Sequence, residues 1–560
     1  MATTAHGVPV ADGVPAVSRP AGRIARYAFT IALAVAALST TVTALASRRN
    51  ATTFDEIVLM AGGARGYETG RWDIAPEHPP LMQYLYGLPI WLSHPTYPEQ
   101  QVAPVTQARD FSYRYEYSRA FFWTAGNDPE RIAFLGRSVA ALFAGLLALA
   151  AYGFVRRQGS TAAVLAAVLV AFLPDVVAHG GVAYNDLPLA LAYLLAVQAL
   201  DAAVRRPSVG RGAVAGLCVA LALGVKFSAI ILAPVAGLLL AAEAVSRKRE
   251  RAWWASLALA VAASVVAAYL ALVLIYRGDF ALAEFRYGLG YTFGHVSGGH
   301  GAPGYLLGRT SVDGWWYFFP MAFLYKTPAA LHILLLAAVA GIARTAKAGG
   351  LRVMAASALR APVIGTAVFG AALVTSSLDI GFRYALPTLP LLCIIVAAGG
   401  ARLIESAGPQ VRWAVAALVL WFAASTLSFY PHFLSYTSEY GPGRDHGDLV
   451  LLDSSLDWGQ GLLELRRWMR SNGVDRVYLS YFGSAVPARY GIDYVPLPSF
   501  FPLPALGPAP EEPPQYAVIS ATNLHGIYMN GDPFATLRQH EPEIVLAHTL
   551  FVYRINARVN

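Results

Sequence analysis

Long apolar runs separated by short polar stretches dominate this 560-residue chain. A helix that crosses a bilayer needs about 20 mainly apolar residues, and a window reading on that length places about eleven spans. They fall at roughly 27–47, 132–154, 160–178, 184–204, 212–225, 227–245, 254–276, 321–342, 353–377, 384–400 and 412–430. The fifth and sixth are short and have a second reading as one broken helix. Three segments interrupt the pattern, at about 48–131, at about 277–320 and from 431 onward. The expected fold is mainly α: a polytopic transmembrane helical bundle over 27–430, a disordered cytoplasmic tail at 1–26 and a small extracytoplasmic α/β module at 431–560.

Inside the first interruption, "FDEIVLMA" places Phe54, Ile57, Val58 and Ala61 at helical spacing, which predicts a short helix along the membrane surface. "LMQYLYGLPIWL" is too short to span and predicts an interfacial or re-entrant helix. In the C-terminal module, "DLVLLDS" reads as a strand, "GQGLLELRRWMRS" as an amphipathic helix and "DRVYLSYFG" as a second strand. A proline-rich linker follows, "VPLPSFFPLPALGPAPEEPP", and then "QYAVISA" and "IVLAHTLFVYRI" read as further strands.

Composition agrees with the pattern: 56% of the residues are hydrophobic and 14% charged, where a soluble protein carries about 25% charged residues. Basic residues gather in alternate short loops, among them "RRPSVGR", "SRKRER" and "RTAKAGGLR". The positive-inside rule then expects a multi-pass protein with the N-terminus in the cytoplasm and the C-terminus outside, and the high alanine content and two cysteines fit a bacterial plasma membrane. The formal charge of +8 is mainly this topology signal. A nucleic-acid partner would need basic residues gathered on one soluble face, and none is expected. "TALAS" after the first run resembles a processing site, but the run is longer than a signal core and reads as a retained anchor. Cys218 and Cys393 both fall within spans and predict no disulfide and no cysteine zinc site.

Charge inside a span costs about 2.5–3.5 kcal/mol per residue at the bilayer centre, so ionisable groups near span ends need a reason. At the outer boundary the chain carries Asp55 and Glu56 in "TTFDEIVLM", His78 in "EHPPL", Asp186 in "AYNDLPL", Lys226 in "GVKFSAI", Lys326 in "FLYKTP" and Arg383 in "GFRYALP". Each has a plain alternative. Asp186 suits a helix cap, Lys226 and Lys326 suit snorkelling, Arg383 suits a pair with Asp379 one turn away, and His78 suits a turn before two prolines. His295 and His300 suggest a metal site only weakly, because zinc needs three or four converging ligands. Asp457 in "DSSLDWGQ" suits a cap between a strand and a helix. The coincidence of several segments at one boundary is what chemistry on an anionic lipid headgroup requires. A phosphate leaving group wants Lys or Arg donors, and an attacking hydroxyl wants a carboxylate base.

The early acidic pair followed by "HPPL" resembles the protein O-mannosyltransferases and their relatives in glycosyltransferase superfamily C. "GVKFSAIILAP", "GWWYFFPMAFLYKTP" and "GFRYALPTLP" are similar to later landmarks of bacterial members, and "LLDSSLDWGQGLLELRRWM" with "VYLSYFG" to the outer tail that some carry. The resemblance implies a polyprenyl-phosphate sugar donor, transfer on the outer face and inversion at the anomeric carbon. It places Asp55 as general base, Asp186 near the donor, and Lys226 and Arg383 at the phosphate, with Lys326 as a further substrate-binding cation. His78 matches the mannosyltransferase form of its motif, where the aminoarabinose transferases of lipid A have lysine. Glu56 is expected as the second residue of the catalytic pair, where it either orients the loop by a hydrogen bond or helps to hold a divalent cation. The short second outer loop departs from the eukaryotic mannosyltransferases, so the acceptor stays open between protein, lipid and glycan. The rival expectation is a multi-pass transporter or flippase, whose site would sit near the midplane between repeats; a third is a scaffold with no enclosed acidic cleft.

Overall fold

A computed structural model describes residues 23–99, 102, 111–246, 248–297, 303–508 and 512–555. The tail expected at 1–26 lies outside these residues as far as residue 22, and so does His300. The helices run in order: α1 (Arg23–Ser47), α2 (Glu56–Thr69), α3 (Leu81–Trp91), α4 (Phe111–Arg119), α5 (Pro129–Val155), α6 (Ser160–Ala171), α7 (Pro174–Gly180), α8 (Asp186–Arg205), α9 (Val209–Val225), α10 (Leu232–Ser246) and α11 (Arg251–Ile275). They continue with α12 (Ala283–Ser297), α13 (Phe318–Lys326), α14 (Ala329–Ala356), α15 (Arg360–Val374), α16 (Leu389–Ser406), α17 (Pro409–Leu427), α18 (Leu462–Asn472) and α19 (Ala521–Leu524).

Hydrocarbon offers no partner for backbone polar groups, so the apolar runs close their hydrogen bonds internally as helices. Among the described residues eight helices are long and apolar enough to cross a membrane, or nine if the bent pair α6 and α7 counts as one span. The expected eleven is therefore not reached. Pro174 bends that pair by 57°, and the apolar helices α9 and α15 are shorter than a full crossing. The span expected at 321–342 is also two elements. Thr327, which precedes Pro328, is extended (φ −129°, ψ 144°), and this ends α13 before α14 begins. In α8 and α16 more than half of the residues of the apolar stretch are buried, whereas in α11 and α17 most face outward.

Between α1 and α5, the helix α2 differs from the surface helix its spacing predicts. Glu56 through Gly66 are all buried, on every face of the helix. Gly63 and Gly87 let α2 and α3 meet backbone to backbone, and a Cβ on either would overlap the other helix.

The C-terminal module is a five-stranded mixed sheet ordered β4-β3-β5-β7-β6; a separate hairpin, β1 (Gly304–Leu306) with β2 (Arg309–Ser311), lies in the second outer segment. β3 (Arg476–Ser480) pairs in parallel with β4 (Asp493–Pro496) and β5 (Tyr516–Ser520). β7 (Leu550–Arg554) runs antiparallel to β5 and to β6 (Ile544–Leu546). The last apolar run thus folds back on itself, turning through Ala547 and His548, both left-handed (φ 52° and 60°). "DLVLLDS" is no strand but a chain of short turns. Its Val450 carbonyl accepts from the Leu307 amide and the Ser455 carbonyl just beyond it from Lys326, so its hydrogen bonds go to scattered partners instead of a neighbouring strand.

Candidate active site

Asp55 occupies the N-cap position of α2, yet its side chain makes no capping bond. Its Oδ1 accepts from the Tyr115 hydroxyl of α4 at 2.7 Å. Its Oδ2 faces both terminal nitrogens of Arg383 at 3.4 Å. Arg383 lies in the short 3-10 turn Phe382–Ala385. The same guanidinium stands 3.6 Å from Asp186 Oδ2, while Asp186 Oδ1 accepts from Lys226 Nζ at 2.5 Å. Asp186 is the first residue of α8, and Asn185, which holds the N-cap position before it, makes no side-chain capping bond either. Lys226 sits where α9 stops and the turn Phe227–Ile231 begins, a break that puts its ammonium opposite α8. Arg383 does not pair with Asp379, which instead accepts from the Trp315 amide at 2.5 Å. Four ionised groups from four separate segments therefore form one chain, Asp55–Arg383–Asp186–Lys226.

His78 joins them through Tyr184, whose hydroxyl lies 3.1 Å from Nε2, and Asn185, whose amide lies 3.4 Å from Nδ1. Burial first, and then the Lys226 ammonium, hold the imidazole down at about 4, so the ring is neutral at pH 7.

All five groups line one cavity of about 770 Å³, within the usual range for small-molecule sites. Ile230, Ile231, Pro234, Phe369 and Leu373 are among its apolar lining. Glu77 and Arg114, an ion pair, line it as well.

Glu56 and Lys326 are not among the groups lining this cavity. Glu56 is fully buried, and Arg137 of α5 donates to both of its oxygens at 2.5 and 3.0 Å. The amides of Thr53 and Ala183 donate to it as well, at 2.6 and 3.1 Å. Glu56 thus anchors the loop that carries Asp55. The reason is periodicity: neighbours on a helix point about 100° apart, and that angle turns Glu56 into the bundle. Lys326 is also buried, and its ammonium donates to the carbonyls of Leu434, Tyr436 and Ser455 at 2.9, 2.8 and 2.7 Å.

Among the described residues no three His, Cys, Asp or Glu side chains converge to hold a metal ion. Of the two roles expected for Glu56, orienting the loop and helping to hold a cation, the second is blocked because Arg137 saturates it, and Asp55 and Asp186 face cations of the chain itself. This donor set does not fit a divalent cation.

Sequence reasoning missed Tyr115, Tyr184, Glu77 and Trp458. The aromatic, charged stretch around Tyr115 stands out in the sequence. Which tyrosine meets Asp55 depends on how α4, which passes into a π-turn at Ala120–Thr124, lies against α2.

Residues 131–272 match the family described as dolichyl-phosphate-mannose-protein mannosyltransferase. That stretch contains Asp186 and Lys226, and over those residues the match agrees with the resemblance read from the sequence. No curated protein sequence matches the chain significantly. Among solved structures, ArnT from Cupriavidus metallidurans bound to undecaprenyl phosphate is 14% identical, with a TM-score of 0.47 over 73% of this chain and 71% of that one. The apo oligosaccharyltransferase of Archaeoglobus fulgidus is 14% identical, with a TM-score of 0.47 over 74% and 57%. The same enzyme tethered with an acceptor peptide is 13% identical, with a TM-score of 0.42 over 90% and 64%.

Proposed function

We propose that this chain transfers a sugar from a polyprenyl-phosphate donor to an acceptor hydroxyl on the outer face of the plasma membrane, with inversion and with Asp55 as general base. One observation carries the reading: two carboxylates and two cations, Asp55, Asp186, Lys226 and Arg383, share a single cavity that also has a broad apolar portion. The apolar portion suits an isoprenoid chain, and Lys226 and Arg383 suit its phosphate. Asp55 takes the acceptor proton as that oxygen attacks the anomeric carbon. The bond from that carbon to the phosphate oxygen breaks on the opposite face, and its electron pair leaves with the phosphate, which Arg383 and Lys226 stabilise. Attack from the face opposite the leaving group inverts the centre. The Arg383–Asp55 contacts are long at 3.4 Å, so an incoming phosphate gives up little to claim the guanidinium. Tyr115 keeps Asp55 oriented when it does.

The rival reading, a transporter, expects its charges at the midplane. Here Asp186 opens α8 and Lys226 closes α9, which supports a site at the membrane boundary. Orientation, with the N-terminus inside and the C-terminus outside, belongs to the same proposal. The test incubates purified protein with radiolabelled polyprenyl-phosphate sugars and candidate acceptor proteins, lipids and glycans. Asp55→Asn is expected to lower transfer by about 10²–10⁴-fold while expression is kept; near-normal transfer in that variant refutes the assignment.

A further inference from the structure

We propose that the segment from Asp453 to Gln460, centred on Trp458, is a positioning element of the transfer site, which makes the C-terminal module part of the reaction centre. The proposal rests on the reading that Arg383 receives the donor phosphate.

Trp458 is 2% exposed, and the Arg383 guanidinium carbon lies 4.2 Å from its ring centroid, nearer than to Tyr184 or Tyr384, each at 5.2 Å. A ring face holds a cation through its quadrupole and consumes none of the guanidinium N–H donors. The ring therefore adds no competitor for those donors, which face Asp55 and Asp186 at 3.4–3.6 Å and can turn to phosphate oxygens as a planar fork. An acidic side chain in the same place would fix Arg383 equally well but would compete for the donors.

Backbone carbonyls and serine hydroxyls of this segment reach the two stretches of chain that carry Asp55 and Arg383. The Trp458 carbonyl accepts from the Phe54 amide at 3.0 Å, next to Asp55, and the Gln460 carbonyl accepts from Ala51 at 2.9 Å. On the other side, the Ser455 hydroxyl accepts from the Phe382 amide at 2.9 Å, and the Ser454 hydroxyl donates to the Ile380 carbonyl at 3.0 Å. These residues flank Arg383. Lys326 seizes the Ser455 carbonyl, and the Tyr481 hydroxyl, just past β3, donates to the Gly459 carbonyl at 2.6 Å. Gly459 is left-handed (φ 91°), and a Cβ there would press on Tyr481 and Gly483. The separation of base and phosphate cation is thus set by one short segment tied at its end to the module's sheet.

The test measures binding of undecaprenyl phosphate, without sugar, to the full chain in nanodiscs, alongside the unfolding midpoint. Arg383→Ala is the reference and is expected to abolish most of the affinity. Trp458→Leu is expected to weaken binding about tenfold, and Trp458→Phe, which restores a ring face, by no more than about threefold. Wild-type affinity in Trp458→Leu, or equal losses in the Leu and Phe variants, overturns the positioning role and leaves the phosphate reading standing. Wild-type affinity in Arg383→Ala overturns the phosphate reading itself. If Trp458→Leu does not fold, Ser455→Ala, which releases the Phe382 amide, takes its place; unchanged binding there overturns the proposal.

Discussion

Helix α8 carries a cluster of charges at each end, and the two are built differently. Asp186 opens the helix and belongs to the cavity chain; Asp201 and Arg205 close it, about 22–28 Å away at 1.5 Å per residue. At the closing end, Asp201 accepts from Arg205 and Arg360 at 2.7 Å each. Glu243 of α10 pairs with Arg360 and Arg249, and Arg205 also donates to the Ala356 and Ser357 carbonyls. Every pair there is at contact distance, and none of its members lines the large cavity. At the opening end Arg383 keeps 3.4–3.6 Å from its two carboxylates, is held by aromatic faces and borders open space. One cluster is locked to fasten helices; in the other the Lys226–Asp186 pair is as tight, at 2.5 Å, and Arg383 alone is left loose enough to exchange partners with a ligand. Charge count alone does not tell them apart.

The largest expected contrast comes from truncating the two central arginines. Arg383→Ala is predicted to cut transfer by about 10²–10³-fold, the scale of losing a charge-stabilising donor. Arg360→Ala is predicted to leave transfer per folded molecule unchanged and to lower stability by about 3–5 kcal/mol, the scale of breaking a buried pair. Transfer assays normalised to folded protein, with unfolding curves beside them, separate the two. If Arg360→Ala cuts turnover as deeply as Arg383→Ala, the distinction between fastening and exchanging clusters is wrong.

Next in size is the pair of neighbours that the sequence treats alike. Glu56 has its hydrogen bonds filled by Arg137 and two amides, so it belongs with the locked cluster although it adjoins Asp55. Glu56→Gln keeps the shape but weakens charge-assisted bonds, and is expected to cost about 1.5–3 kcal/mol of stability with most of the transfer per folded molecule retained. A loss of transfer equal to that of Asp55→Asn, at undiminished stability, would move Glu56 back among the reacting groups.

How much of this was legible follows from the same distinction. The apolar runs announce the helices because a bilayer permits few other backbones. Asp55, His78, Asp186, Lys226 and Arg383 stood out because charge at a span boundary is costly, and the structure brings these five to one cavity. Lys326 stood out for the same reason, yet its cost is offset by three carbonyls instead of a ligand. Sequence shows that a buried charge needs partners but not whether the partners are backbone. Trp458 lies in a stretch the sequence singles out, "LLDSSLDWGQGLLELRRWM", but its role was hidden because a tryptophan announces no ligand until a guanidinium is found on its face. "DLVLLDS" reads as a strand yet forms turns, because its hydrogen bonds are spent on distant partners and not on a neighbouring strand.

The smallest expected effect concerns a third kind of buried charge, one held by amides and not by a cation. Asp457 lies beside Trp458, and its carboxylate accepts from the Thr522 and Gly459 amides at 3.1 and 3.4 Å. Burial pushes its carboxyl up to about 7, and those amides pull it only part of the way back. Unfolded, the group titrates near 3.9. Between about pH 4 and 7 the folded chain therefore holds a proton that the unfolded chain has lost, so this group's contribution to stability falls as pH rises through that window and levels off above it. The slope is at most about 1.4 kcal/mol per pH unit, the limit for one proton. Other carboxylates add slopes of their own, so the measurement is a difference: unfolding midpoints of wild type and Asp457→Asn across pH 4.5 to 8. The amide mimics the protonated acid at every pH, so the wild type is expected to lose stability relative to Asp457→Asn as pH rises toward 7 and to run parallel above it. Parallel profiles throughout would show that the carboxylate is accommodated in its ionised form. The clamp around Trp458 would then tolerate a full charge as readily as the cavity does.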